Sequence, residues 1–159
     1  MNPLNTIHIS WSKLILPLIS SDEKINLLKT DILPNCKYYP EKEKVFKVFS
    51  KPKNNFNVVI LGLEPYSVPS VNNGLSFVKN SKSIPNDLKI IYKELENENF
   101  YNCNIHNWYS QGILLLNTAL TVESGKPGSH IKYWKDFTGK FIQQFSKDRP
   151  CIWVLWGKH

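Results

Sequence analysis

The chain has 159 residues, of which 42% are hydrophobic and 21% charged, a composition typical of a globular protein with a sizeable core. Lysine and arginine number 20 against 13 acids, and the resulting net charge of +7 favours a polyanionic partner. Because nearly all of these cations are lysines, which AT-rich genes also accumulate, charge alone does not identify a nucleic-acid-binding protein.

The cysteines and the early apolar run argue against a secreted or membrane-spanning protein. Cys36, Cys103 and Cys151 are isolated and lack metal-ligand spacing, which suits a reducing compartment. We therefore expect a cytoplasmic protein, or a nuclear or viral-factory protein if the host is eukaryotic or the source viral. Residues 14–20 are apolar, but the run is too short to span a membrane and contains Pro17, so it predicts a core segment. We expect no metal, no cofactor and no membrane partner.

Two helices are predicted in the first third of the chain. Asp22, together with Ser21, can cap a short helix whose apolar residues lie at helical spacing. Those residues are Ile25, Leu27 and Leu28. Pro40 opens a second predicted helix, residues 40–51, whose apolar residues share one face. Those residues are Val45, Phe46, Val48 and Phe49.

Three continuous apolar runs predict buried strands, at residues 57–62, 113–117 and 151–156. Helical patterns separate the runs. Residues 85–98 carry the first pattern, with Leu88, Ile91, Tyr92 and Leu95. The second is a mostly aromatic stripe of Trp134, Phe137, Phe141, Ile142 and Phe145. Strands that alternate with helices predict an α/β fold of three layers, α/β/α, with a central parallel sheet, in a single domain spanning residues 1–159.

Polar residues follow the predicted strands at the ends where parallel sheets bind ligands. Glu64 and Tyr66 follow the first strand, Asn117 closes the second, and Gly157 and Lys158 follow the third. A carboxylate, an aromatic ring and a side-chain amide together suit a small, planar, polar ligand, because an amide donates and accepts hydrogen bonds at once.

These residues also have ordinary structural interpretations, as do Phe77 and His130, which the motifs described below single out. Tyr66 could be a turn aromatic packed on the sheet, Phe77 a plain core residue and Asn117 a cap on the chain that leaves a strand. His130 and Lys158 could be solvated surface residues. The ordered set on one strand-end face favours the pocket over these separate interpretations.

Five stretches, in the same order along the chain, resemble the motifs of family 1 uracil-DNA glycosylases. The stretch "GLEPYSVP" (62–69) is similar to G-Q-D-P-Y-H-G-P, and "NGLSFV" (73–78) to H-G-L-x-F-S. "IPNDLKIIYKELEN" (84–97) is similar to the proline-rich phosphate loop and its helix. "WYSQGILLLNTALTVESGKPGSH" (108–130) follows W-x-x-Q-G-V-L-L-L-N, and "WVLWGKH" (153–159) follows the strand and loop that pinch DNA phosphates.

The resemblance implies a base-excision DNA-repair enzyme that flips uracil out of DNA and hydrolyses the bond between base and sugar. In such a site Glu64 would stabilise the sugar cation and orient water. Phe77 would stack on uracil, Asn117 would read its polar edge, Tyr66 would exclude a thymine methyl group and Leu63 would border the pocket.

The resemblance also implies a partner, uracil-containing DNA, single- or double-stranded. The backbone contacts that it implies come from several loops. They are Pro85, Ser129, His130, Gly157 and Lys158.

The chain departs from the family pattern in its catalytic loop and its phosphate loop. Glu64 stands where the family has aspartate, Ser67 where it has histidine and Leu63 where it has glutamine. Asp87 falls where a phosphate-contacting serine usually lies, and its charge would repel phosphate. The extra methylene of Glu64 would move the carboxylate by about 1 Å, a displacement that can cost roughly 10²-fold in rate.

The family normally continues with a helix, a strand and an H-P-S-P-L loop whose histidine holds the departing uracil. Residues 1–159 contain no such loop, so we expect an incomplete domain with weak or no activity. The apolar run "IWVLW" (152–156) would then be an exposed edge strand that invites a protein partner. Three functions follow from the sequence: a uracil-removing enzyme, a catalytically inactive DNA-binding homologue, and a protein-interaction module.

Overall fold

A computed structural model of the chain describes residues 2–69, 72–78, 86–100 and 104–156, without the side chains of residues 87 and 106. The helices in chain order are α1 (Ser12–Ser21), α2 (Glu23–Leu27), α3 (Asn86–Asn97), α4 (Ile105–Trp108) and α5 (Ile131–Asp148). The strands are β1 (Tyr38–Tyr39), β2 (Val58–Gly62), β3 (Ile113–Asn117), β4 (Val122–Glu123) and β5 (Ile152–Leu155).

The central sheet is parallel and has the strand order β3–β2–β5. Its strands coincide with the three predicted apolar runs to within one residue at each end, and together with the flanking helices they confirm the predicted α/β fold. In the register of β2 and β3, Gly62 lies opposite Asn117. A separate antiparallel pair joins β1 to β4, which places Tyr38 beside Glu123.

The short helix predicted after Asp22 forms, as α2. The carboxylate of Asp22 accepts hydrogen bonds from the backbone N–H groups of Lys24 and Ile25, at 3.0 and 3.2 Å, and so caps α2. Ser21 is instead the last residue of α1. A short π-helical turn, Leu28–Ile32, follows α2.

The single helix predicted for residues 40–51 is wrong. Two 3₁₀ turns, Lys42–Lys44 and Lys47–Phe49, stand in its place, although the four predicted apolar residues are buried. Local bonds of the 3₁₀ type join Phe49 to Phe46 and Ser50 to Lys47, and distant groups also donate to the carbonyls of this segment. Tyr109 Oη donates to Lys47 and Val48, and the backbone N–H of His8 donates to Phe49 at 2.9 Å. Tertiary donors therefore replace the helical ladder that the apolar spacing alone would predict.

Trp11 is the centre of the aromatic core between α5 and the sheet. Its ring is fully buried, and its indole N–H donates to the backbone oxygen of Lys51 at 2.8 Å. Four phenylalanine rings lie 5.2–6.1 Å from it: Phe49, Phe56, Phe141 and Phe145. The aromatic stripe of α5 thus packs on both the sheet side and the N-terminal segment, and holds them together.

Among the strands that the structure describes, β5 lies at an edge of the sheet, as predicted. The side chains of Ile152 and Leu155 are 65% and 67% exposed, whereas β3 at the opposite edge is almost wholly buried. In the described part of the chain, no helix is long and apolar enough to cross a membrane.

Replacing Trp11 with alanine should lower the free energy of unfolding by about 3–5 kcal/mol, because a large buried ring and its hydrogen bond are lost together. Phe100→Ala is the matched control, since that ring is 61% exposed, and it should change stability by only about 0.5 kcal/mol. Urea unfolding followed by circular dichroism measures both. Equal effects for the two variants would contradict the central role of Trp11.

Candidate functional site

The carboxyl ends of β2 and β3 meet at Gly62, which carries no side chain, and the groups around it are called the crevice here: Ser76, Phe77 and Asn117. A Cβ atom at Gly62 would lie 2.6 Å from Asn117 Oδ1 and 3.3 Å from the ring of Phe77, and closer still to the hydroxyl of Ser76. Any larger residue at position 62 would displace these groups. Glycine is therefore required for the amide, the aromatic ring and the hydroxyl to approach one another.

Phe77 occupies this position through an uncommon backbone conformation. Its φ is +62°, in the left-handed region, and its ring packs edge-on against Trp156 with centroids 5.2 Å apart. The preceding backbone is fixed to β3 by the N–H of Ser76, which donates to Leu115 at 2.9 Å. Strain held by such a scaffold is common where a side chain is positioned for binding.

Ser76 was not singled out from the sequence, yet it belongs to the crevice. Its side chain is fully buried, and its hydroxyl has no hydrogen-bond partner among the described residues. The sequence marks Ser76 only by its place directly before Phe77 in the stretch "NGLSFV", at the position where the family motif accepts any residue.

The loop after β2 is tied to the chain that follows β3. The backbone oxygens of Gly62 and Leu63 accept hydrogen bonds from the N–H groups of Thr118 and Ala119, at 2.8 and 2.9 Å. Leu63 is 42% exposed at the rim. Tyr66 is half-buried, and its backbone oxygen accepts from Asn72 Nδ2 at 2.5 Å. These contacts fix the backbone that carries Glu64.

Glu64 directs its carboxylate to the turn before α5. Both carboxylate oxygens accept from the backbone N–H of Gly128, each at 2.9 Å. Partial burial raises the pKa of Glu64 above its ordinary value, and the Gly128 hydrogen bond opposes this rise. Its acid–base behaviour is thus set by burial and one backbone amide rather than by a charged neighbour.

The turn of residues 124–130 leads from β4 into α5 and is held by its own side chains. Ser129 Oγ accepts from the backbone N–H of Glu123 at 2.9 Å. His130 is only 1% exposed, with Nδ1 3.0 Å from the hydroxyl of Thr121, which also accepts from the indole N–H of Trp134. Burial lowers the pKa of His130.

The burial of His130 corrects the interpretation of its side chain as a solvated surface group. Its contact with a backbone phosphate stays a prediction. Its partners are Thr121 and the start of α5, so it supports the turn from within. The adjacent residue Ser129 is half-buried and stays a predicted backbone contact.

The predicted phosphate contacts Pro85, Gly157 and Lys158 lie outside the described residues, as does the side chain of Asp87. Asp87 is nevertheless the second residue of α3. Within the described ranges, no three histidine, cysteine or acidic side chains are grouped so that they could hold a metal ion.

Four residues at one end of the sheet make complementary chemical contributions. Asn117 offers a donor and an acceptor and Phe77 an aromatic face, and the missing side chain of Gly62 lets these two groups lie close together. Glu64 supplies a negative charge at the neighbouring turn. Such a set can bind a planar heterocycle and stabilise positive charge that develops beside it.

Comparisons with known proteins agree with this geometry. The model of the Uracil DNA glycosylase superfamily matches residues 49–159. The uracil-DNA glycosylase of Exiguobacterium sibiricum is 36% identical over 96% of this chain and 74% of its own length. That of Proteus mirabilis is 45% identical over 76% of this chain and 58% of its own length.

The fold has a close structural counterpart. The crystal structure of mimivirus uracil-DNA glycosylase superposes on the whole chain with a TM-score of 0.86 at 24% identity, and the chain covers 64% of that structure. The chain thus spans only part of the length of each of these three proteins. On the family match and the sequence identities, it belongs to the uracil-DNA glycosylase superfamily.

Proposed function

We propose that this chain binds a uracil base, flipped out of DNA, in the crevice at Gly62, and that its reaction is hydrolysis of the N-glycosidic bond of that base. The observation that carries the proposal is the close approach of Asn117 and Phe77 to Gly62, which has no side chain. In base-excision repair, this reaction removes the damaged base first.

The crevice suits uracil for chemical reasons. The amide of Asn117 can donate to a ring carbonyl and accept from the neighbouring ring N–H, a pattern that uracil presents along one edge. Stacking of a base on an aromatic ring such as Phe77 contributes about 1–3 kcal/mol. Asn117 is only 7% exposed, so hydrogen bonds formed there are shielded from competing water.

Glu64 is the candidate catalytic residue. As the bond between base and sugar breaks, the sugar gains positive charge, and a carboxylate nearby stabilises that charge and orients the attacking water. In this chain the carboxylate is bound to the N–H of Gly128. Its placement over the sugar must therefore compete with this hydrogen bond, which favours slow chemistry.

The hydrogen bond between Glu64 and Gly128 also favours a second function, that of a catalytically inactive DNA-binding homologue. A carboxylate held by the turn leaves the base-binding groups Asn117 and Phe77 in place. Recognition of uracil would then persist without efficient cleavage. Measurements of binding and of cleavage separate the two functions.

Gly62→Ala should abolish the preference for uracil-containing over thymine-containing oligonucleotides, because the new methyl group collides with Ser76 and Asn117. Gly139→Ala is the matched control, since a Cβ atom there meets nothing within 4 Å. Fluorescence anisotropy with single-stranded oligonucleotides measures the preference. A Gly62→Ala protein that is folded and still prefers uracil would contradict the assignment of the crevice.

Single-turnover release of uracil from a single-stranded oligonucleotide should be about 10²-fold slower for this chain than for the Exiguobacterium sibiricum relative, because the carboxylate is displaced. Glu64→Asp should raise the rate constant, and Glu64→Gln should remove activity. Both changes act on the transition state, so they should alter the chemical step more than binding.

Two controls make the cleavage experiment decisive. Glu123→Gln removes an acid from the end of β4, next to the turn, and should leave the rate unchanged. Full-rate cleavage by the unmodified chain would overturn the proposed effect of Glu64. Uracil-selective binding with no cleavage by the unmodified chain or the Glu64→Asp variant would establish the binding-only function.

Binding to any oligonucleotide should weaken with salt, by roughly tenfold or more between 50 and 200 mM if two or more phosphates are neutralised. Asp87→Ser should tighten binding, because it removes a negative charge from the first turn of α3. Asp31→Ser makes the same chemical change on the exposed Leu28–Ile32 turn and should have a smaller effect. Equal effects of the two substitutions would contradict a phosphate contact near residue 87.

A further inference from the structure

We propose that Gly128 is the positioning residue for the carboxylate of Glu64, and that glutamate, in place of the family's aspartate, is what makes this contact. The contact itself follows from the geometry of two loops. Its consequence for catalysis rests on the proposed function.

The backbone that carries Glu64 is fixed on both sides. Before it, the backbone oxygens of Gly62 and Leu63 accept hydrogen bonds from the chain after β3. After it, the oxygen of Ser67 accepts from the N–H of Gly125 at 2.7 Å. Three anchors within six residues prevent the loop from shifting to compensate for a shorter or longer side chain.

The turn that carries Gly128 is fixed as well. Gly125 and Gly128 have φ values of +73° and +80°, a conformation that glycine adopts readily, and these angles set the direction of the Gly128 N–H. The oxygen of Gly128 accepts from the N–H of Ile131 at 3.3 Å, which joins the turn to α5. The donor is therefore presented to Glu64 by a constrained backbone.

The length of the side chain decides whether the contact forms. The backbone nitrogen of Gly128 lies 2.9 Å from each carboxylate oxygen of Glu64, which is the usual length of an N–H···O hydrogen bond. An aspartate on the same backbone would be shorter by one methylene, which draws the carboxylate back by about 1 Å and takes it out of the hydrogen-bonding range of roughly 2.7–3.2 Å. The presence of glutamate in place of the family's aspartate at position 64 is therefore what allows the hydrogen bond to Gly128.

The charged neighbours of the turn do not account for the position of Glu64. Lys126 pairs instead with Glu123 at 2.7 Å, and the ring of His130 is buried against Thr121. The hydrogen bond from Gly128 stabilises the charged form of Glu64, while partial burial opposes it. The backbone N–H is therefore the group that determines where this carboxylate rests.

The consequence for the reaction is a carboxylate held at the turn by the N–H of Gly128. Glu64→Asp frees the carboxylate from Gly128, which is the physical reason for the rate increase expected of that variant. The positioning effect should appear in the chemical rate constant and not in the affinity for uracil-containing DNA.

The test is the backbone amide resonance of Gly128 in the full 159-residue chain, followed by ¹⁵N–¹H NMR during a pH titration. We expect this resonance to shift with the protonation of Glu64, at a midpoint above the ordinary pKa of a glutamate. The titration should vanish in Glu64→Gln, and Glu64→Asp should move the Gly128 resonance upfield because the hydrogen bond is lost.

Two internal controls identify the source of the titration. Gly125 donates to a backbone oxygen, so its resonance should not follow residue 64. Glu123→Gln should leave the Gly128 titration intact. A Gly128 resonance that is the same in all residue-64 variants across the pH range would overturn the proposal. The titration without any uracil cleavage would support the contact and reject the catalytic part of the proposed function alone.

Discussion

The site depends on the parallel register of β2 and β3, which places Gly62 opposite Asn117. Because residue 62 has no side chain, the amide of Asn117, the ring of Phe77 and the hydroxyl of Ser76 can approach the same point. A slip of one residue would turn Asn117 to the other face of the sheet and place a leucine, Leu61 or Leu63, where Gly62 now leaves a gap. The crevice is therefore a property of strand pairing, and the loops only complete it.

The aromatic core around Trp11 stabilises the elements that carry the site. Trp11 packs against Phe141 and Phe145 of α5 and against Phe49 and Phe56. Its indole N–H donates a hydrogen bond to the backbone oxygen of Lys51. Since α5 begins immediately after the turn of residues 124–130, the same packing also fixes the position of Gly128. The hydrophobic core and the polar site are thus linked through one helix.

The position of residue 64 shows how a small change in side-chain length acts on a fixed backbone. The loop after β2 is anchored to Thr118, Ala119 and Gly125, so the extra methylene of Glu64 is absorbed by the side chain alone. It reaches a backbone N–H that the shorter residue would miss. Fold and base-binding groups can persist in such a chain while the charge that drives the reaction is displaced.

The sequence by itself determined the α/β fold, the bounds of the three parallel strands and the nearness of Asn117 to the loop after β2, because apolar runs and strand-end chemistry are local signals. Only the tertiary structure decided three features. Residues 40–51 form 3₁₀ turns because distant donors bind their carbonyls, and His130 is buried because Thr121 and α5 enclose it. Glu64 meets Gly128 because two loops, 64 residues apart in sequence, are held together by the packing of the sheet against α5, and no local pattern records that distance.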